Sequence, residues 1–240
     1  LENAFIAQVD PSAVAAIVLE TVLGEGGFIP TPPRFLQRVR DLCTQHGIVY
    51  IADEVQCGMG RTGKLFAVEH YGIVPDVIVT AKSIAAGMPL AAVTGRADIM
   101  DAPHPGGLGG TYSGNPLACA AAFEAIRMIN DPAFLARANE VGDRMRGHLL
   151  RIQQQSRLIG DVRGLGSMLL IEFVKDHVSK EPAVAETQAV IAEALKRGLV
   201  IIRAGLYSNG VRFLPPLNIT DAQLDEGMAV VEQAVQAVEA

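Results

Sequence analysis

Three short runs, "AAIVLE" at 15–20, "IVYIADE" at 48–54 and "DVIVTAK" at 76–82, are mainly apolar with both faces hydrophobic, and each ends in an ionisable residue. Strict alternation would mark strands with one wet face, whereas unbroken Val, Ile and Ala marks strands covered on both sides, as in a parallel sheet. Between the first two runs lies "PPRFLQRVRDLCTQHG". Its prolines stand at a helix entry, Gly47 at the exit, and Phe35, Leu36, Val39, Leu42 and Cys43 share one helical face. The resulting strand, helix, strand unit predicts an α/β fold. Ligands of open sheets of this class bind beyond the carboxyl ends of the strands, so Glu20, Asp53 and Lys82 are expected to face one crevice.

Lys82 sharpens that expectation, because it is the one charged residue in "VTAKSIAAGMPL", with only the hydroxyls of Thr80 and Ser83 for polar company. A lysine snorkelling from a strand end to water is the structural explanation. The chemical one is an amine withheld from water so that its neutral form can react. The rest of the composition favours small-molecule chemistry. Half of the 240 residues are hydrophobic, enough for a substantial core, and 20 basic against 26 acidic residues, with no basic run, offer no footprint for nucleic acid or an anionic membrane. Cys43, Cys57 and Cys119 form no C-x-x-C pair, and the histidines are scattered, which argues against a disulfide framework or a metal site and fits a reducing cytoplasm.

Further along, the Gly-rich "PGGLGGTYSGNP" precedes an Ala-rich helix, "PLACAAAFEAIRMI", and a second helical pattern from Pro132 to Gln155. The grammar then changes. "RLIGDVRGLGSMLLIEFV" reads as paired strands, followed by a helix over Val184 to Arg197, strands in "LVIIRAG" and "VRFLPPL", and a last helix opened by Thr220 and Asp221. Two domains are predicted: 1–145, part of a larger α/β domain, and 146–240, a small α+β domain.

In order and spacing, "ETVLGEGGF", "IADEVQCGMGRTG", "TAKSIAAGMPL", "GGLGGTYSGNP" and "VRFLPPL" resemble the class III (ω-amino acid) branch of the pyridoxal-phosphate-dependent aminotransferases, over essentially the whole chain. The resemblance implies the fold type I (aspartate aminotransferase-like) architecture, a mainly parallel large-domain sheet plus a C-terminal small domain, with pyridoxal 5'-phosphate as cofactor. It implies Lys82 and Asp53 as catalytic residues, Gln56 as a contact to the cofactor's ring hydroxyl, and Thr111 as a contact to the cofactor phosphate of a neighbouring subunit. A cytoplasmic homodimer with shared active sites follows. Glu25 and Arg212 match a pair that handles the substrate carboxylate, and Glu20 matches an acidic position lining the pocket. The implied reaction moves an amino group from an ω-amino acid of the 4-aminobutyrate type to a 2-oxo acid, 2-oxoglutarate.

The residue types suit this chemistry. The cofactor needs an amine to hold its aldehyde and later to carry a proton, and a carboxylate to keep its ring nitrogen protonated. Arginine's planar fork binds a carboxylate through two hydrogen bonds. Structural alternatives stand beside each role: a helix cap or a partner of Arg61 for Asp53, a surface glutamine for Gln56, a plain Gly-rich loop for Thr111, and a salt bridge for Glu25 and Arg212. If buried, that pair would cost about 3–5 kcal/mol to break. Arg163 reads as a turn or interface residue, and Arg61 and Lys64 as structural. Thr21, Leu23 and Pro215 depart from the family's usual Pro, Gln and Val beside the substrate positions.

Three competing readings remain: a relative acting on ornithine, acetylornithine, diaminobutyrate or β-alanine, or an aminomutase; a dinucleotide-binding module, which lacks G-x-G-x-x-G; and a non-catalytic fragment. The resemblance begins partway into the family's large domain. Residues 1–240 alone are therefore expected to be inactive or nearly so.

Overall fold

A computed structural model describes residues 1–240. The first elements in chain order are α1 (Glu2–Ala7), β1 (Ala16–Glu20), β2 (Val22–Leu23), β3 (Ile29–Pro30), α2 (Pro33–His46), β4 (Val49–Asp53), β5 (Val77–Thr80), β6 (Ala92–Gly95), α3 (Ala97–Met100) and α4 (Pro116–Ile129). They are followed by α5 (Pro132–Gln155), β7 (Ile159–Leu165), β8 (Met168–Phe173), α6 (Val184–Lys196), β9 (Ile202–Ala204), β10 (Gly210–Phe213) and α7 (Asp221–Glu239). The chain forms two compact units, the first of residues 1–21, 31–60 and 64–131, the second of 22–30, 61–63 and 132–240.

The first unit is built on a four-stranded sheet in the order β1, β4, β5, β6. β1, β4 and β5 run parallel, as their apolar runs predict, and β6 is an antiparallel edge that sequence reading missed. Four residues, "AVTG", are too short and too mixed to signal a strand. Pro33 opens α2, and Gly47, at φ 68°, closes it in the left-handed conformation that a residue without Cβ adopts freely. Leu36, Val39 and Cys43 pack on Tyr50 and Ala52, with Ile17, Leu19 and Ile78 completing that face of the sheet. Phe35 departs from its expected place on the buried stripe, since it lies one residue round the helix from Leu36 and is 45% exposed. Val18 is 57% exposed, so the predicted two-sided cover of β1 is not met in this chain. The cluster built on α2 and residues 66–73 shields the face of Ile17 and Leu19; Val18 points the other way.

Asp76, just before β5, ties this sheet together. Its carboxylate accepts hydrogen bonds from the Tyr50 N–H and Arg40 Nη1, each at 2.8 Å, and from Arg96 Nη1 at 2.9 Å. Burial by itself would raise its pKa, but the Tyr50 N–H, Arg40 and Arg96 outweigh burial and hold it below the ordinary value.

The second unit is an antiparallel sheet in the order β7, β8, β10, β9. Its core joins Val141, Met145 and Leu149 of α5, Leu169 and Ile171 of β8, Val211 of β10, Val190 of α6 and Val231 of α7. Thr220 caps α7 with its side chain accepting from the Gln223 N–H, as the sequence predicts. Helix α5 runs across the sequence-based boundary at 145/146 and lies wholly in this unit, because its buried positions at 141, 145, 149 and 152 all fall in the same core. Residues 22–30 and 61–63 join this unit from far upstream. There Gly142 and Gly166 bring three backbones together: a Cβ on Gly142 would lie 2.4 Å from the Gly166 carbonyl, and one on Gly166 2.5 Å from the Thr62 carbonyl carbon. No helix is long and apolar enough to cross a membrane.

Candidate active site

In the first unit, the parallel register sets Glu20 directly beside Asp53, and Asp53 beside Val79. Neighbouring strands lie about 4.8 Å apart, so the two carboxylates end adjacent strands at one height. Both residues are half-buried, on the sheet face opposite α2. Asp53 Oδ1 accepts the Val55 N–H at 3.0 Å, which orients the carboxylate at the turn. Asp53 does not pair with Arg61. That guanidinium donates to the Pro215 carbonyl at 2.6 Å, and the Arg61 carbonyl accepts from the Ser167 N–H at 3.1 Å, the structural role expected of it.

Lys82 follows β5 at the same end of the sheet and opens a 3-10 turn over Lys82–Ala85. Its φ is 49°, and so is that of Ala86 beyond the turn. L-residues reach this left-handed region only at a cost of about 1–3 kcal/mol, and such strain gathers at functional positions. The side chain is exposed in this chain, in contrast to the withdrawn setting the sequence suggested. The left-handed step carries Lys82 off the strand, and Ile84 and Ala85 become the buried residues of the turn. Gln56 is half-buried in the turn after β4. Thr111 stands apart, in a run from 101 to 117 that is exposed throughout and bonded locally: the Gly110 N–H donates to Ser113 Oγ at 2.8 Å, and Asn115 Oδ1 caps α4 through the Leu117 N–H at 2.9 Å. The sheet thus groups Glu20, Asp53 and Lys82 at one end and leaves Thr111 on its own loop.

Sequence reading missed Glu54, next to Asp53 and 1% exposed. Its carboxylate accepts from Thr21 Oγ1 at 3.1 Å, Cys57 Sγ at 3.2 Å, and the N–H groups of Ala67 and Val68 at 2.9 and 2.8 Å. Burial raises its pKa, and the four donors partly offset that rise. Glu54 therefore fixes the turn that carries Asp53 and Gln56. Thr21, one of the departures from the family pattern, supplies a hydroxyl that proline lacks. The available signal was an acidic pair at a strand end, where alternation sends the second carboxylate away from the first.

In the second unit, β2 and β3 form a hairpin whose loop is "GEGGF". Glu25 Oε1 accepts from Arg212 Nη1 at 2.6 Å, so the predicted pair is formed. It is not a buried pair, because the Glu25 side chain is 71% exposed and that of Arg212 17%. Solvent screening places such a pair nearer the surface range of about 0–1 kcal/mol than the buried range. Arg212 Nε is buried without a partner. A guanidinium whose Nη1 is met by an exposed carboxylate is suited to exchange that partner for another carboxylate.

Residues 1–235 match the model of the family described as aminotransferase class-III. The chain is 50% identical to the 4-aminobutyrate aminotransferase of Escherichia coli (strain K12) over 223 residues, covering 93% of this chain and 52% of that protein. It is 46% identical to the 5-aminovalerate aminotransferase of Pseudomonas aeruginosa, covering 97% of this chain and 55% of that protein. Among solved structures, a Bacillus anthracis aminotransferase superposes with a TM-score of 0.90 at 30% identity, over 98% of this chain and 55% of that one. The ornithine aminotransferase of Toxoplasma gondii ME49 gives 0.86 at 35%, over 96% and 53%. The chain spans about half the length of the curated relatives it matches.

Proposed function

The chain belongs to the class-III aminotransferase family, and on that premise we propose that the whole protein is a pyridoxal-phosphate-dependent aminotransferase moving the amino group of an ω-amino acid of the 4-aminobutyrate class to 2-oxoglutarate. The observation that carries the substrate side is Arg212, whose Nη1 is engaged by exposed Glu25, a partner open to exchange for a substrate carboxylate. The residues at the end of the first unit's sheet fit the cofactor. Asp53 offers an oriented carboxylate for a ring nitrogen, and Lys82 a primary amine for an aldehyde.

When bound, pyridoxal phosphate supplies an electron sink for the substrate carbon that bears the amino group. Asp53 keeps the proton on the ring nitrogen. With the cofactor in place, Gln56 would donate to its ring hydroxyl, and Lys82 Nζ would be the base that takes the proton from the reacting carbon. Arg212 orients the carboxylate next to the reacting amine in glutamate. An ω-amino acid brings no carboxylate there, and Glu25 then neutralises the arginine that would otherwise face apolar carbon. Glu20 offers a second acidic side chain for the substrate. Thr111 serves the cofactor phosphate of a second subunit, which makes the protein a homodimer, and the charge and cysteine pattern suit the cytoplasm.

The test is an amino-donor panel on the full-length holoenzyme with 2-oxoglutarate as acceptor. The expected result is a kcat/KM for 4-aminobutyrate at least about tenfold above that for ornithine. A preference for ornithine, or no transfer to 2-oxoglutarate, overturns the proposal. A second reading, 5-aminovalerate as the better donor, is favoured by the Pseudomonas relatives at 46% and 48% identity. The same panel separates the two.

A further inference from the structure

Arg163 sits on β7 directly opposite Leu170 of β8, and Leu170 is directly opposite Arg212 of β10. Residues opposite one another in an antiparallel ladder share a face, so one row across this sheet reads Arg163, Leu170, Arg212, with the two arginines about 10 Å apart at two strand spacings. The "GEGG" loop spans that row. Arg212 holds the Glu25 side chain, and Arg163 Nε donates to the Gly27 carbonyl at 2.7 Å.

The two arginines differ in freedom. Arg163 is committed through Nε and Nη1: beyond Gly27, its Nη1 donates to Asp161 Oδ2 at 3.0 Å and to Glu172 Oε2. Glu172 is itself held by Asn209 Nδ2 at 3.3 Å. Arg212 keeps an unused buried donor. The loop is shaped around the committed arginine. Gly27 has φ 119°, a conformation that L side chains rarely adopt, and a Cβ there would lie 2.8 Å from Arg163 Nη2. A second main-chain tie, from the Gly205 N–H to the Glu25 carbonyl at 3.1 Å, holds the loop at its other end.

We propose that Arg163 is a positioning residue for substrate selection: by clamping the Gly27 carbonyl to the sheet row that also carries Arg212, it holds the loop where Glu25 reaches Arg212. The inference rests on the proposed role of Glu25 and Arg212 and adds the element that sets their geometry. Removing the clamp loosens Glu25, so Arg212 loses its neutralising partner when the substrate brings no carboxylate to it. Glutamate, which brings its own, is little affected.

The test compares R163M, R163K, E25A and E25A/R163M with wild type in the full-length holoenzyme, measuring single-turnover rates of the half-reactions with 4-aminobutyrate and with glutamate. E25A is expected to lower the ratio of the first rate to the second, and R163M to lower it in the same direction by about fivefold or more. The double variant should go no lower than E25A, within about twofold, because both changes remove one interaction. R163K, with one point donor where the fork made three bonds, should fall between wild type and R163M. Hydrogen exchange of the peptide over residues 22–30 should be faster in R163M than in wild type, which reads the loop independently of turnover.

An unchanged ratio in R163M beside a lowered ratio in E25A overturns the inference and leaves the Glu25 reading standing. Equal losses in both half-reactions do the same, reducing Arg163 to a structural residue. An unchanged ratio in E25A overturns the Glu25 reading and this inference with it. Should R163M fail to accumulate as folded holoenzyme, R163K carries the comparison.

Discussion

The candidate residues of the first unit are placed by backbone, and those of the second by side chains. Glu20 and Asp53 owe their adjacency to parallel strand register, and Lys82 its presentation to a left-handed turn. Arg212 and Glu25 instead hold each other, and Arg163 clamps the loop between them. Substitution of Asp53 or Lys82 should therefore leave the first unit's geometry intact while removing its chemistry. In the second unit, side-chain substitution should alter the geometry as well.

The largest effect that sharpens this contrast is expected at Lys82. Lys82→Ala removes an exposed side chain, so the melting temperature of the full-length protein without cofactor should hold within about 2 °C. Transamination should drop by about a thousandfold or more, because both the amine and the proton carrier are lost. A variant that keeps its turnover would break the assignment. Asp53→Asn comes next: the amide oxygen still accepts the Val55 N–H, the fold persists, and turnover should fall about a hundredfold with the loss of the negative charge. A fall in melting temperature matching the fall in rate would mean that Asp53 is structural.

The second unit offers an internal pair of glycines on α5. Gly142→Ala should destabilise by about 2–3 kcal/mol, because the new methyl would meet the Gly166 carbonyl and backbone cannot rotate away as a side chain can. Gly147→Ala on the same helix meets nothing within 4 Å. It should stabilise by about 0.5–1 kcal/mol through helix propensity. Urea denaturation of both variants checks the signs, and a common sign would break the account of the Gly142 contact.

An effect of similar small size returns to the first unit. Asp76 has its pKa held below the ordinary value in the fold, so its contribution is present above the unfolded carboxylate value of about 4 and is lost as pH falls through the folded one. Asp76→Asn keeps an acceptor for the Tyr50 N–H but loses the charge that faces Arg40 and Arg96. Thermal melts should show a deficit of about 1 kcal/mol at pH 7 that shrinks as the pH is lowered below 4. A deficit that does not change with pH would show that the charge is idle.

Much of this was legible in the residues. The apolar runs marked three parallel strands, although β1 leaves Val18 exposed in this chain, and the prolines and Gly47 bracketed α2 within a residue or two. Helices α4 and α5 and the capping residue of α7 followed from equally local chemistry, and the five motifs in order carried the family. Glu54 was legible only as the second member of an acidic pair at a strand end; its burial was not, since its four donors come from positions 21, 57, 67 and 68. Nor was the exposure of Glu25, which turns an expected buried salt bridge into an open, screened pair.

Tertiary structure alone decided that residues 22–30 and 61–63 belong with a unit that otherwise begins at 132, that Arg163 and Arg212 stand in one row, and that two glycines of a single helix carry opposite demands. Propensity and periodicity act over a few neighbouring residues, so sequence determines which elements form and which side chains carry the chemistry. Register between strands and the meeting of backbones depend on residues far apart in the chain, and packing fixes those only once the whole fold has closed.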